Sequence, residues 1–301
     1  MSEELVEFGP DVIGAGLAEA GSRIVVLAGR VRSEQDQFLS PEDAVVAAFD
    51  DSGAPLWRTD IDGFPSNTTS SRQLVATNDH VWVWQVNGGL YRIDAVDGTI
   101  SGQVDLGDVE SMVAADGSVW ALTRVIDTDG SESGHPTHLV RIGSDLSTSS
   151  VELGSPALSV PGPVPIEIVP GPGTIVVPLG REGVAVVDRD DLSVAVTPQD
   201  VIGHDVDRVA VDGEVIYAAG VTTVSAVLDG TVRASAAIDG GGEVGYAFLG
   251  TIDGEIGGVV AGSPTRFDVL QAEDPMVIER RQTSVDVSWA IVAGGSTWAR
   301  I

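Results

Sequence analysis

The chain has no cysteine among its 301 residues, which excludes disulfide bonds, thiolate nucleophiles and zinc sites built on cysteine. It also has no apolar run near the ~18 residues that a membrane-spanning helix needs. The first residues, Met1 to Glu7, are acidic where a signal peptide would be basic and then apolar. We therefore expect a cytoplasmic protein with no membrane insertion, and a virion or an extracellular assembly is the alternative location.

Lysine is absent as well, so all 16 basic residues are arginines, against 45 acidic residues and a net charge of −29. Nucleic acid is disfavoured as a partner, because binding by counterion release needs a basic surface. An acidic surface without lysine is typical of a halophilic protein, since concentrated salt screens the self-repulsion. A high-GC actinobacterial or phage source is the alternative explanation of this composition.

The sequence repeats a pattern of strand, turn, strand and Asp-Gly turn. In the second repeat, His80 to Trp84 and Gly89 to Asp94 have the composition and patterning of strands, and Asp97-Gly98 follows them. Corresponding positions in the third strand of successive repeats are separated by 44, 49, 45, 40 and 42 residues. These positions are Phe49, Ile93, Ile142, Val187, Val227 and Val269. The period predicts an all-β repeat protein of the β-propeller class.

We predict a seven-bladed β-propeller of four-stranded antiparallel blades, in one domain over residues 1–301. The blades are expected near residues 12–62, 72–107, 109–154, 164–200, 206–239, 244–282 and 284–301. The last segment is too short for four strands. A closing strand within residues 1–10 would complete it and remove the exposed sheet edges. Six blades with a frayed C-terminal tail are the alternative.

The stretch Leu90 to Gly98 (LYRIDAVDG) resembles the repeat of the pyrroloquinoline-quinone-like and WD-repeat-like propeller superfamily. The stretch Ala47 to Trp57 (AAFDDSGAPLW) resembles it too, with tryptophan four residues past glycine. In the second repeat, Gly102 stands at that tryptophan position. The superfamily contains both quinoprotein dehydrogenases and non-enzymatic scaffolds, so the resemblance implies a fold and leaves the function open.

The two faces of such a propeller differ in this sequence. The connections between strands one and two and between strands three and four are short and rich in Asp-Gly, which is typical of hairpin chemistry. The opposite face carries insertions at residues 31–41 and 126–136 and long links at residues 63–71 and 155–165. Insertions concentrated on one face of a repeat protein mark a binding face.

Arginines lie near the same connections. The residues predicted to bind a partner are Arg30, Arg32, Arg72, Arg124, Arg181, Arg208 and Arg266, and Arg280 and Arg281 lie near further connections. In an acidic chain these guanidinium groups would be local donors for carboxylate or phosphate. The alternative is that they pair with neighbouring acids, such as Asp205 and Asp207.

Candidate metal ligands lie in the third repeat, where His135 and His138 follow Asp127 and Asp129. Two imidazoles three residues apart with nearby carboxylates could hold a divalent ion. A solvated acidic loop is the alternative interpretation, because no glutamate stands where a calcium loop has its bidentate ligand.

The functional hypothesis is a non-enzymatic binding or scaffold propeller that recognises a protein partner through its insertion-bearing face, without a cofactor. A metal-dependent hydrolase or lactonase is the enzymatic alternative, in which a divalent metal ion would be the cofactor. A third hypothesis is an adaptor or receptor binder in a virion or another large assembly.

Overall fold

A computed structural model describes residues 12–30, 44–61, 74–85, 89–124, 137–154, 166–239, 245–252, 255–260, 266–272, 276–282, 289–293 and 296–300. Within these residues every regular element is a β-strand except one short helix. None of the described helical segments is long and apolar enough to cross a membrane.

The first half of the chain forms three four-stranded sheets. The first contains β1 (Val12–Ala20), β2 (Arg23–Arg30), β3 (Ala44–Phe49) and β4 (Pro55–Ile61). The second contains β5 (Leu74–Ala76), β6 (His80–Gln85), β7 (Gly89–Asp94) and β8 (Ile100–Val104). The third contains β9 (Asp108–Ala115), β10 (Ser118–Arg124), β11 (Thr137–Ile142) and β12 (Thr148–Glu152).

The second half contributes three more four-stranded sheets and a pair of strands. The fourth sheet contains β13 (Val169–Gly171), β14 (Thr174–Pro178), β15 (Val184–Asp188) and β16 (Val194–Thr197), followed by α1 (Gln199–Ile202). The fifth contains β17 (Arg208–Asp212), β18 (Val215–Ala219), β19 (Thr223–Leu228) and β20 (Thr231–Ala237). The sixth contains β21 (Tyr246–Ile252), β22 (Glu255–Val260), β23 (Arg266–Gln271) and β24 (Val277–Gln282). The last pair is β25 (Trp289–Ala293) and β26 (Ser296–Arg300).

Every four-stranded sheet is a meander in which each strand pairs with the next along the chain. The fold is all-β and fits a propeller, but the described residues form six four-stranded sheets, so the prediction of seven four-stranded blades is wrong. The reason is the length of the last segment, which supplies two strands of five residues, paired only with each other in the described part of the chain. The closing strand predicted within residues 1–10 lies outside the described residues. The six-sheet count agrees with the alternative.

Neighbouring strands differ in burial according to their place in the sheet. The second strands are nearly continuous apolar runs, as in β14, where four of the five residues are buried. The outermost strands are largely exposed, as in β16, where only Thr197 is buried. This gradient is expected when sheets pack face to face and the fourth strand lies outermost.

Contacts divide the chain into two compact units, each with its own core. Unit 1 comprises residues 1–132 and 139–150, and unit 2 comprises residues 133–138 and 151–301. In unit 1, Val25 of the first sheet and Val81 of the second belong to one buried cluster. In unit 2, Val176 of the fourth sheet and Ala218 of the fifth belong to another. Apolar burial between adjacent sheets is therefore what holds each unit together.

Aspartates organise the tight turns between the third and fourth strands. In the β3–β4 turn, Asp50 Oδ1 accepts hydrogen bonds from the Ser52 amide (2.9 Å), the Ser52 hydroxyl (2.6 Å) and the Ala54 amide (2.9 Å). These hydrogen bonds hold the pKa of Asp50 below its ordinary value of 3.8, and the bond from the Ser52 hydroxyl has the largest effect. The pKa values of Asp97, Asp145 and Asp191 are lowered in the same way by Thr99, Ser147 and Ser193.

This turn chemistry predicts a pH-dependent effect of Asp50→Asn. An amide oxygen can accept the same bonds, but it lacks the charge that strengthens them. Because the pKa of Asp50 is lowered on folding, its contribution is present above the unfolded value and is lost as pH falls through the folded value. We expect the midpoint of thermal unfolding of Asp50→Asn to lie below that of the parent at neutral pH. The difference should narrow as pH falls below 3.8, whereas a difference that does not change with pH would contradict the assignment.

Candidate functional site

The predicted partner-binding arginines fall into three groups. Arg32 and Arg72 lie outside the described residues. Arg30 and Arg124 end β2 and β10 and Arg266 begins β23, but the described part of the chain does not include their side chains. Arg181 and Arg208 are described in full, and both lie in unit 2.

Arg181 lies in the tight connection between β14 and β15. The amide of Leu179 donates to the carbonyl of Gly183 at 2.9 Å, which closes the turn. Gly180 and Val206 exchange two backbone hydrogen bonds, of 2.9 and 3.0 Å, which tie the turn to the segment that precedes β17. The Arg181 side chain is 73% exposed. The fold thus presents a guanidinium group to solvent from a backbone that is fixed on both sides.

The helix α1 positions Asp205 beside Arg181. Ile202 is buried against apolar residues of the fourth and fifth sheets, and the helix ends where the Gly203 amide donates to the Gln199 carbonyl at 2.7 Å. Gln199 Nε2 then donates to Asp205 Oδ1 at 2.9 Å, while Arg181 Nε lies 4.0 Å from Asp205 Oδ2. The side-chain amide of Gln199 therefore holds the Asp205 carboxylate, whereas the Arg181 guanidinium contacts it only loosely.

His204 connects this surface to the interior of the fifth sheet. Its Nδ1 lies 2.6 Å from the Asp205 carbonyl oxygen, and its Nε2 lies 2.9 Å from Ser225 Oγ. Because a carbonyl only accepts, Nδ1 carries the proton, and in the neutral ring Nε2 accepts from Ser225. Ser225 Oγ lies 2.9 Å from Ser235 Oγ, so the hydroxyls continue the chain of bonds.

The serine–histidine pair has the separation of a nucleophile and its base, but the hydroxyl is inaccessible. Ser225 is fully buried within β19, so a substrate has no path to its oxygen in this structure. The chain of hydrogen bonds instead fixes the imidazole and, through the Asp205 carbonyl, the backbone that carries the carboxylate. We call Arg181, Gln199, His204 and Asp205 the Arg181 surface.

Arg208 lies beneath the protein surface. It begins β17 with 7% of its area exposed, next to Asp207 with 2% exposed. Arg208 Nη1 donates to the Asp207 carbonyl oxygen at 3.2 Å. A large side chain so enclosed can support the connection that carries Asp205, but it presents little area to a partner.

Two further arginines pair with acidic residues of the same chain, which agrees with the alternative to partner binding. Arg281 in β24 contacts Glu279 at 3.0 Å and Glu255 at 2.5 Å, and Arg280 contacts Asp239. The hydrogen bond from Arg281 is the main cause of the lowered pKa of Glu279. Exposed pairs of this kind contribute little stability each.

The candidate metal ligands Asp127, Asp129 and His135 lie outside the described residues, and His138 is a half-buried residue of β11. In the described part of the chain, no three histidine, aspartate or glutamate side chains come together in a group able to hold a metal ion. The divalent ion therefore stays a prediction from the sequence.

A second polar surface lies in unit 1, on the turns of the third sheet. A shallow cleft of about 580 Å³ opens between the β9–β10 turn at Asp116 and the β11–β12 turn at Asp145. Arg141 lies in it, with its guanidinium 5.7 Å from the centre of the buried Trp120 ring and its Nε 3.4 Å from Ser118 Oγ. Asp145 accepts bonds from the amide and hydroxyl of Ser147, so its carboxylate holds its own turn.

Sequence reasoning missed parts of both surfaces. Pro198 and Gly203, which bracket α1, are local start and stop signals for a helix and could have placed Gln199. The contact between His204 and Ser225 spans 21 residues and has no local signal. The cleft at Arg141 was assigned to hairpin chemistry alone, although the hydroxyl-rich run from Ser147 to Ser149 follows its turn.

No family model matches the chain, and no curated protein sequence matches it. Several solved structures do. BamB from Moraxella catarrhalis has a TM-score of 0.59 at 14% identity, over 96% of this chain and 80% of that chain. The WD40 repeats of RRP9 have a TM-score of 0.54 at 10% identity, over 93% and 86% of the two chains. The Pyrococcus horikoshii acylaminoacyl peptidase has a TM-score of 0.59 at 9% identity, over 94% of this chain and 48% of that one.

At these identities the likeness shows the fold alone. The chain has a β-propeller fold that resembles the pyrroloquinoline-quinone-like and WD-repeat propellers, which confirms the resemblance drawn from the repeats around Trp57 and Gly98. These neighbours include repeat domains and a peptidase, so the fold by itself selects no activity.

Proposed function

We propose that this β-propeller is a non-enzymatic recognition module that binds a protein partner through the Arg181 surface. The observation that supports the proposal is the state of Arg181. Its side chain is 73% exposed on a turn fixed by hydrogen bonds, and the Asp205 carboxylate that lies 4.0 Å from it already accepts a bond from Gln199. A rigid turn loses little conformational entropy when a partner binds.

The chemistry of this surface favours a carboxylate on the partner. The N–H donors of a guanidinium group lie in one plane and match the two oxygens of a carboxylate. Because the contact between Arg181 and Asp205 is loose, a carboxylate of the partner can compete with Asp205 for these donors. The net charge of −29 repels an acidic partner at long range. Since salt screens charges beyond about 8 Å at physiological ionic strength, the local donors decide recognition.

Affinity capture from the native lysate, at native salt, tests this proposal. We expect the tagged propeller to retain a stoichiometric protein partner, identified by mass spectrometry, and Arg181→Glu to lose it. The matched control is Arg58→Glu, because Arg58 is an exposed arginine of β4 that also pairs with an aspartate, Asp60, at 3.0 Å. Both variants change the net charge by the same amount, so only the place of the charge differs.

Three outcomes would contradict the proposal. The first is a partner retained by Arg181→Glu, and the second is an equal loss in both variants, which would indicate a non-specific charge effect. The third is a stoichiometric bound metal ion without any protein partner. That result would favour the metal-dependent hydrolase and would call for a substrate screen.

A further inference from the structure

The outermost strand of the fourth sheet differs from the outermost strands of the other five four-stranded sheets. In β4, β8, β12, β20 and β24, exposed positions include charged, hydroxyl or amide side chains, beside isolated exposed apolar residues such as Leu56, Ile100 and Val277. In β16 the exposed positions are Val194, Ala195 and Val196, and the two valines are 37% and 50% exposed. Proteins usually protect an open edge strand with charges, and β16 has none.

The open edge of β16 also carries unpaired backbone groups. The Asp188 amide donates to the Ser193 carbonyl at 2.9 Å, which makes this a hydrogen-bonded pair of the β15–β16 hairpin. Pairs along an antiparallel ladder alternate, so Val186–Ala195 and Val184–Thr197 bond within the sheet. The N–H and C=O groups of Val194 and Val196 therefore point away from β15, and no strand in the described part of the chain pairs with them.

Carboxylates lie at both ends of this apolar strand. Asp190 and Asp191 are exposed in the turn that precedes β16, and Asp200 is exposed in the first turn of α1, three residues beyond Thr197. Hydrogen bonds from Ser193 lower the pKa of Asp191, so this carboxylate stays ionised at neutral pH. Antiparallel pairing of two β16 strands would bring these like charges together and is disfavoured.

We propose that β16 binds an extended segment of another protein as a fifth strand. The segment has β-branched or apolar residues at alternate positions, which pack on Val194 and Val196, and arginine or lysine at both ends, which face Asp190, Asp191 and Asp200. Main-chain hydrogen bonds to Val194 and Val196 supply the pairing, and the terminal charges fix its position along the strand. This docking surface shares no residue with the Arg181 surface, although Asp200 follows Gln199 in α1, and it selects a basic ligand, whereas the Arg181 surface is proposed to select an acidic one.

A synthetic peptide tests the inference with purified protein. The probe alternates valine and threonine, carries two arginines at each end, and is labelled for fluorescence anisotropy. We expect saturable binding that weakens as KCl is raised, and no binding by the same peptide with glutamate at its ends. Equal binding of the two peptides, or none by either, would overturn the proposal.

Hydrogen exchange in the unmodified protein supplies an independent readout within one strand. The amides of Val194 and Val196 should exchange rapidly in the free protein and slowly in the complex. The amides of Ala195 and Thr197 already bond to β15, so their protection should change little. Peptide-dependent protection that does not follow this alternation would contradict strand addition.

Two variants separate the backbone contribution from the side-chain contribution. Val196→Pro removes an N–H that points away from the sheet, which an edge strand tolerates, and should raise the peptide Kd about tenfold. Val194→Lys places a like charge beside the peptide and should weaken binding similarly, whereas Val96→Lys, at an exposed valine of unit 1, should leave it unchanged. If sedimentation showed a dimer that Val196→Pro dissociates, a second copy would be the occupant and the proposal would be wrong.

Discussion

Replacing Trp57 by alanine is expected to lower the free energy of unfolding by about 2–3 kcal/mol, which is below the range of about 3–5 kcal/mol for buried aromatic side chains, because Trp57 is only partly buried. Trp57 lies on β4 and joins the first sheet to the second. Its Nε1 donates to the Ala95 carbonyl at 2.9 Å, and its ring covers Gly98, where an added Cβ would lie 2.7 Å from Trp57 Cε3. Chemical denaturation of the purified protein measures the effect.

Two control variants identify the cause of that loss. Trp57→Phe keeps most of the ring packing but removes the N–H donor to Ala95, and should be destabilised by about 1 kcal/mol. Leu56→Ala changes the adjacent, 47% exposed side chain of the same strand and should alter stability by less than about 0.5 kcal/mol. Equal losses for Trp57→Ala and Leu56→Ala would show that Trp57 does not hold the two sheets together.

The second sheet shows why the tryptophan need not recur. At the position that corresponds to Trp57 the second repeat has Gly102, and a Cβ added there would lie 2.5 Å from Leu146 Cδ1. Leu146, from the β11–β12 turn, thus fills the space that a larger residue would need. The sequence pattern located both Trp57 and Gly102. It could not show that Leu146 takes the place of the missing ring, because Leu146 and Gly102 are 44 positions apart and no local pattern encodes their contact.

The number of sheets was predictable from the regular markers and not from the chain length. Phe49, Ile93, Ile142, Val187, Val227 and Val269 each lie in the third strand of a four-stranded sheet, so six markers correspond to six sheets. The seventh blade was inferred from the residues that remained after Gln282. In the structure, the described part of that segment forms one pair of five-residue strands. The repeat period predicts a four-stranded sheet only where a third-strand marker is present, and the last segment has no marker.

Turn chemistry was the most predictable part of the structure. The pairs Asp116-Gly117 and Asp229-Gly230 both have positive φ at each residue, as the tight hairpin turns inferred from Asp-Gly require. The burial of Arg208 was not predictable, because an arginine that follows Asp207 at the start of a strand has the local composition of an exposed strand end. In the structure, the strand that carries Arg208 contacts strands of both the fourth and the sixth sheet, and contacts of this kind have no local signal in the sequence.

Replacing Gly183 by alanine is expected to lower the free energy of unfolding by about 3 kcal/mol or more. Gly183 has φ of +100°, and an added Cβ would lie 2.1 Å from the Thr197 carbonyl oxygen and 2.8 Å from the Gln199 amide nitrogen. Both are backbone atoms, so no side-chain rotation can relieve the overlap. The turn that carries Arg181 must move away from α1, and we expect partner binding to be lost along with stability.

Gly203→Ala is the matched control for this effect. Gly203 has a similar φ of +89°, but no atom lies within 4 Å of a Cβ added there, so only the left-handed conformation is penalised, by about 1 kcal/mol. Comparing the two variants by chemical denaturation separates backbone conformation from close approach. A Gly183→Ala variant no less stable than Gly203→Ala would show that the turn relaxes freely. The rigid presentation of Arg181, on which the proposed recognition depends, would then have to be abandoned.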